Sequence, residues 1–362
     1  MTTQTKAAVL RDAEGEFAIE DITLAELGPT QVLVTLVGAG FCHTDVVPRS
    51  LASYVLPAVL GHEGAGTVAA VGADVTRVAV GDPVVLTYAS CGTCAQCKAG
   101  VPAYCTEFIA LNMMGGVLDG TASATDAAGQ PVANRWFGQS SFAEHCVIDQ
   151  RDVVPVATDL PLELLGPLGC GIQTGAGTVL RGLDVQPGES IVVFGAGAVG
   201  LAAVMAAKIA GAGEVVAVDL HPSRLELATK YGATRVVDGA DPELVAAIVA
   251  GGPGLDYAID TTAVTSVMEA AIAATGPGGE VALLGASVDM ITLHPTQLTG
   301  KKVTYMLEGE ADPQEFIPYL VEQWQAGRFP FDELITTYPL ADINRAEADS
   351  KAGTAIKPVL LP

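Results

Sequence analysis

Basic residues are scarce in this chain: 18 lysines and arginines stand against 41 aspartates and glutamates over 362 residues, a formal net charge of −23. Nucleic-acid binding rests on a basic footprint that neutralises phosphates, so that class of partner is not expected. Anionic membrane surfaces are disfavoured on the same ground, and the excess negative charge serves solubility. An anionic small molecule would have to be held by helix N-termini and a few placed cations. No apolar run continues unbroken for the length of a membrane span. The nearest, Ile191–Ala212, is interrupted by Gly195, Gly197, Gly200 and Lys208 and reads as a buried strand, a turn and a helix. The start, Met1–Ala13, is polar and lacks the apolar stretch of a secretion signal, so a cytoplasmic protein is expected. Charged residues make up only 16% of the chain and apolar ones 50%, which permits a large core and argues against disorder. The length suggests two domains.

Cysteines number only seven, and without a secretion signal their use in metal binding or catalysis is favoured over disulfides. Four of them, Cys91, Cys94, Cys97 and Cys105, follow a C-x2-C-x2-C-x7-C spacing, with Gly92, Gly100 and Pro102 supplying turns. Four thiolates so close can surround one ion tetrahedrally, which is the arrangement Zn²⁺ prefers. A closed site of this kind keeps no open position and is expected to be structural.

A second set is dispersed: Cys42 in Phe41–Asp45, His62 in Gly61–Gly66, and Cys170 in Gly169–Gly171. Two thiolates and an imidazole make a three-ligand zinc set with a fourth position free for water or substrate. Each piece alone reads equally as core packing or an ordinary hydrogen-bonded histidine; together with the cysteine cluster they gain weight.

The chain changes texture near Gln186. Up to about Val154 it is β-rich, with short Val- and Thr-bearing segments at Gln31–Val37, Gly66–Val71 and Pro83–Tyr88, and Asp119–Val132 reads as a surface loop. Beyond it, strands at Ile191–Phe194, Val215–Val218, Arg235–Val237, Leu255–Ile259, Val281–Leu284 and Val303–Met306 alternate with helices, the pattern of a wound parallel sheet. The tail, from Pro313 to Pro362, reads as mixed helix and loop that packs back onto the first domain. Gly195-Ala196-Gly197-Ala198-Val199-Gly200 fits G-x-G-x-x-G in its required place, between a strand and a helix. Gly195 serves the tight turn, Gly197 the close approach of a pyrophosphate, and Gly200 helix–strand packing. Asp219 ends the next strand, nineteen residues after Gly200, where a carboxylate accepts from ribose hydroxyls and repels a 2′-phosphate; NAD is favoured over NADP.

These motifs, with Phe137–Phe142 and Pro167–Gly175, resemble the zinc-containing medium-chain alcohol dehydrogenases over essentially the whole chain. Leu162–Gly177 and Leu307–Glu310 look most like the bacterial aryl-alcohol (benzyl alcohol) branch. The resemblance implies an α/β protein: a GroES-like catalytic domain over 1–174, completed by 309–362, and a Rossmann NAD-binding domain over 175–308, with the active site in the cleft between them. It implies reversible oxidation of primary aromatic or allylic alcohols to aldehydes with NAD, and two zinc ions, catalytic on Cys42, His62 and Cys170 and structural on the cysteine cluster. Glu63 would stand behind the metal as an alternative ligand, and Asp45 would orient His62. Thr44 would relay the substrate's proton. His43 and Lys357 would meet the cofactor pyrophosphate, Thr174 and Val199 would line the nicotinamide pocket, and Arg224 would lie near the adenosine. Trp136, Phe137, Leu284 and Ala286 would wall the substrate pocket, although an apolar wall and an apolar core read alike in sequence. Relatives often carry a histidine five residues after the first zinc cysteine; here Val47 stands there, which leaves the last proton-release step without its usual group. A homo-oligomer is implied, with Val303–Met306 as the candidate contact. Within the superfamily the alternatives are a thiol-adduct formaldehyde dehydrogenase and a polyol dehydrogenase. Outside it stands a non-catalytic zinc- and nucleotide-binding protein.

Overall fold

A computed structural model describes residues 2–51, 54–114, 123–157, 159–286 and 289–362. The chain divides into two compact units. The first comprises residues 1–170, 312–319 and 332–362; the second comprises 171–311 and 320–331. The division thus falls four residues before the expected 174/175 boundary, and a tail segment, 320–331, groups with the second unit.

The first unit is built on two sheets. In the larger, Gln31–Gly40 is the centre: it pairs antiparallel with Gly64–Val71, His145–Asp149 and Lys357–Leu361. Its alternating pattern puts Val32, Val34 and Leu36 inside, against Val68, Val84, Leu86, Cys146 and Ile148. Each such fully buried aliphatic side chain contributes about 1.5–3 kcal/mol by leaving water. Cys146 belongs to this apolar core, where burial pushes its thiol pKa up, so the seventh cysteine is a packing residue. The tail is more ordered than a mix of helix and loop: Ile335–Pro339 and Lys357–Leu361 are paired strands, and Val359 and Leu360 lie opposite Gly40 and Ala39. The expected loop at 119–132 also differs. Residues 119–122 lie outside the described residues, but Ala124–Asp126 pairs with Phe17–Leu24 and with Pro131–Val132, because Ala124 and Val132 find a buried face.

The second unit is a doubly wound parallel sheet of six strands in the order Arg235–Asp238, Glu214–Asp219, Ser190–Phe194, Leu255–Asp260, Thr275–Leu283, Lys302–Tyr305. The order reverses beside Ser190–Phe194, so the glycine-rich turn that follows this strand sits at the switch point where such sheets bind ligands. Helix Ala198–Ala210 begins at that turn. Helix Pro222–Tyr231 starts with proline in its first turn and ends at Gly232, whose φ of 137° is open to glycine alone. Lys302–Tyr305 is one of the two outer strands, the other being Arg235–Asp238, and Tyr305 on it is 51% exposed.

Candidate active site

Among the described residues, two groups of histidine, cysteine and acidic side chains gather metal-ligand atoms within 4.8 Å of one another: Cys91, Cys94, Cys97 and Cys105 in one, Cys42, His62, Glu63 and Cys170 in the other. The first is organised by its own loop. Cys91 Sγ accepts the backbone N–H of Thr93 at 3.4 Å and of Cys94 at 3.3 Å, Cys94 Sγ that of Cys97 at 3.5 Å, and Cys105 Sγ those of Cys91 at 3.3 Å and Glu107 at 3.4 Å. Hydrogen bonds from Thr93, led by its hydroxyl, pull the Cys91 thiol down to about 5, and the Cys97 N–H pulls Cys94 down to about 7. Burial pushes Cys97 up to about 12 and raises Cys105 as well. Four sulfurs this close do not all ionise beside one another without a cation between them, and a tetrathiolate set fits Zn²⁺.

The second group is assembled from distant segments. Cys42 caps the 3₁₀ helix His43–Arg49, His62 lies in the bend before strand Gly64–Val71, and Cys170 follows the 3₁₀ turn Gly166–Gly169. His62 is fully buried, and its Nε2 has no hydrogen-bond partner, while its Nδ1 lies 2.7 Å from Asp45 Oδ1. A buried ring nitrogen left bare beside two thiols is a costly arrangement for a packing residue and the expected one for a metal ligand. A hydrogen bond with Cys170 and, against the penalty of burial, the nearby His62 hold the Cys42 thiol well below its ordinary range. Thr44 Oγ1 lies 3.7 Å from Cys42 Sγ, and His43 points to solvent.

The imidazole rests in a cradle contributed by the segment Trp136–Ser140. Phe137 stacks on the His62 ring at 4.4 Å with planes 25° apart. Gln139 donates to the carbonyls of His62 at 2.9 Å and Thr87 at 3.2 Å and accepts from the Gly64 N–H at 3.0 Å. Trp136 is fully buried, and its indole N–H donates to Asp45 Oδ1 at 3.0 Å. Phe137 and Ser140 are held at φ of 49° and 50°, a left-handed backbone that bulky residues adopt only under constraint. Sequence reading named the motif Phe137–Phe142 but gave Gln139 and Ser140 no role. The one available signal was that polar residues interrupt an apolar stretch that a core would keep apolar.

Glu63, the group's fourth member, pairs with Lys357; both are buried, with the ammonium 2.9 Å from each carboxylate oxygen and 3.4 Å from the Phe41 carbonyl. Burial opposes charge on Lys357, but Glu63 outweighs it and raises the lysine pKa. Lys357, expected to meet a cofactor phosphate, is 3% exposed here, and its ammonium donates to both Glu63 oxygens and to the Phe41 carbonyl. A Cβ at position 40 would lie 2.0 Å from Glu63 Oε2, so glycine at Gly40 is what gives this carboxylate its room.

In the second unit Gly195 adopts φ +90°, and a Cβ on Gly200 would lie 1.7 Å from the Gly195 carbonyl, so both glycines are required by the turn and its packing. A Cβ on Gly197 would meet nothing within 4 Å, which leaves the backbone there open to a phosphate. Asp219 Oδ2 accepts the Ala196 N–H at 2.7 Å and lies 3.7 Å from Arg224, whose buried Nε has no partner. Thr174 and Val199 are half-buried, and the Thr174 hydroxyl donates to Glu308 at 3.3 Å. Of the expected pocket walls, Trp136 and Phe137 belong to the first unit, half-buried Leu284 and exposed Ala286 to the second. No helix among the described residues is long and apolar enough to cross a membrane.

Residues 28–158 match the family described as alcohol dehydrogenase GroES-like domain, and residues 198–322 that described as zinc-binding dehydrogenase. The chain is 44% identical to geraniol dehydrogenase of Castellaniella defragrans, covering 98% of this chain and 97% of that one. The chain belongs to the zinc-containing medium-chain alcohol dehydrogenases. Solved structures of the family agree. An alcohol dehydrogenase zinc-binding domain protein from Burkholderia ambifaria superposes with a TM-score of 0.96 at 46% identity, covering all of both chains. Benzyl alcohol dehydrogenase from Acinetobacter calcoaceticus gives 0.94 at 40%, covering 99% of each. As a medium-chain alcohol dehydrogenase the chain is an enzyme acting on small-molecule alcohols, with a GroES-like and a Rossmann domain.

Proposed function

We propose that this dehydrogenase interconverts primary aromatic or allylic alcohols and their aldehydes, with NAD as the redox partner and two zinc ions per chain. The observation that carries the reading is the convergence of Cys42, His62 and Cys170 around the bare Nε2 of His62. Zinc held there would supply a Lewis acid with one open position, while NAD on the Gly195–Gly200 turn would accept the carbinol hydride. The chain's own residues do the positioning. Asp45 fixes the His62 ring through Nδ1. Thr44 Oγ1, beside Cys42, takes the alcohol proton and passes it on. Lys357 neutralises Glu63 and keeps that carboxylate from competing with substrate. His43, exposed next to a ligand, and the amides from Gly197 onward hold pyrophosphate, while Asp219 selects NAD by repelling a 2′-phosphate. Arg224 lies beside Asp219, near the adenosine, and Thr174 and Val199 line the nicotinamide side.

Aromatic and allylic specificity is supported by the likeness to geraniol and benzyl alcohol dehydrogenases, since the first substrate is an allylic and the second an aromatic primary alcohol. The outer strand Lys302–Tyr305, with its unpaired edge and exposed Tyr305, is the surface we assign to homo-oligomerisation.

Initial rates with benzyl alcohol, cinnamyl alcohol, geraniol, ethanol and sorbitol, each with NAD and NADP, test the reading alongside a zinc count per chain. Turnover of the first three with NAD and two zinc ions is expected. Turnover of ethanol and sorbitol without benzyl or cinnamyl alcohol would overturn the specificity.

A further inference from the structure

Asp45 Oδ1 receives three donors at once: His62 Nδ1 at 2.7 Å, the indole N–H of Trp136 at 3.0 Å and the Gly61 N–H at 3.1 Å. Its Oδ2 receives the Cys42 N–H at 3.0 Å. One fully buried carboxylate therefore ties together the backbone of Cys42, the residue preceding His62 and the His62 ring. Trp136 supplies the further side-chain donor that fixes its orientation. The indole is itself clamped. Tyr54 meets it edge-on at 5.2 Å and 88°, its own backbone N–H donates to Ser140 Oγ at 2.9 Å, and Ser140 Oγ donates to the Val59 carbonyl at 2.7 Å. The left-handed backbone at Phe137 and Ser140 is the cost of turning the segment tightly enough to bring Trp136 onto Asp45 and Phe137 onto His62 together.

We infer that Trp136 is a positioning residue of the metal centre, acting through Asp45 on His62, and not a wall of the substrate pocket. The inference rests on the reading that Cys42, His62 and Cys170 hold zinc. With the indole donor removed, the Asp45 carboxylate keeps the Gly61 and Cys42 N–H groups but loses one of its four donors and the ring packed against it, and the imidazole it orients is held less firmly. Losing a partner of this kind costs about 10–100-fold in metal affinity. A pocket wall removed would instead act on alcohol KM and leave the metal where it is.

The test uses two variants of the full-length enzyme. Trp136→Phe removes the N–H and part of the ring. Replacement of Trp136 by 3-benzothienylalanine keeps the two-ring volume and removes only the N–H. Zinc is titrated out with a chromophoric chelator, and the Cys91–Cys105 zinc serves as the internal reference. Both variants are expected to release the zinc of the dispersed site at about 10–100-fold lower chelator strength with the cluster zinc unchanged. The visible absorption of Co²⁺ at the dispersed site is expected to shift, and kcat to fall more than KM rises. Unchanged zinc affinity with a raised alcohol KM overturns the inference and returns Trp136 to the pocket wall. Equal loss of both zincs overturns it in favour of a general packing role. A wild-type chain that binds zinc only on its cysteine cluster overturns the inference together with the reading it rests on.

Discussion

Glu63 and Lys357 stand 294 positions apart in the chain and meet as a buried ion pair, the ammonium 2.9 Å from both carboxylate oxygens. Strand Lys357–Leu361, paired to Gln31–Gly40, delivers the lysine, and Gly40 clears the space the carboxylate fills. A pair at this depth is held by mutual dependence more than by net gain, because either charge alone would be stranded without water.

Lys357→Met is therefore expected to destabilise the first unit by about 3–5 kcal/mol, with a substantial part regained in the double variant Lys357→Met/Glu63→Gln. Denaturant unfolding of the four proteins of this cycle measures the coupling. Were Lys357 instead a phosphate ligand, the single variant would keep its stability and raise the KM for NAD.

Asp219 gives a prediction on the cofactor. Its carboxylate accepts the Ala196 N–H at 2.7 Å, so it shapes the glycine-rich turn, besides the cofactor-selecting role proposed for it. Asp219→Ala is expected to lower kcat/KM for NAD by about 10–100-fold, the loss of one or two charge-assisted hydrogen bonds, and to lower it less for NADP. A preference for NAD that survives the change would remove Asp219 from cofactor choice.

Val47 sits in the 3₁₀ helix His43–Arg49, and its carbonyl is taken by the Ser50 N–H and hydroxyl. It carries no titratable group, so proton release must pass through other atoms. Installing one by Val47→His is expected to move the pH dependence of kcat/KM across the imidazole range near pH 6.5. A profile that superposes on wild type would show that no relay runs through this position.

Asp152 supplies a pH prediction away from the reaction. Burial, and then the charge of Asp149, raise its pKa well above the ordinary value, although Arg151 and the Ser90 N–H oppose them. The folded state therefore keeps a proton that the unfolded chain gives up near pH 3.9, and stability falls as pH rises from there toward the folded pKa. Asp152→Asn removes that dependence. Its melting temperature relative to wild type is expected to climb as pH rises above about 4. A constant difference across the range would mean the carboxyl is ionised in the fold.

The Rossmann half was the more legible. Helix Pro222–Tyr231 was expected over the residues it occupies, because proline at one end and Gly232 at the other mark it locally. The six parallel strands were found because each is a short apolar run between helical stretches. The hairpin at Ala124–Asp126 escaped, since a few small or polar residues become a strand only when a partner strand offers its edge, and the five-residue tail strands Ile335–Pro339 and Lys357–Leu361 are likewise defined by pairing with each other and with Gln31–Gly40. The same distinction runs through the site. Trp136 and Lys357 have side chains that serve several purposes equally well, and their neighbours decide which.

Residue chemistry at short spacing was settled by the sequence alone. Four thiols within fifteen residues and three glycines in a six-residue turn have few arrangements open to them, and each arrangement carries its own ligand chemistry. Everything that depends on which distant atoms meet was decided by the tertiary structure. That His62 turns a bare Nε2 toward Cys42 and Cys170, that Asp45 is shared between His62 and Trp136, and that Lys357 pairs with Glu63 follow from strand pairing and from one strained turn. The physical reason is range. Backbone preference and apolar periodicity act over a few residues, whereas burial withdraws water from a polar group and leaves it only the partners that the fold brings near.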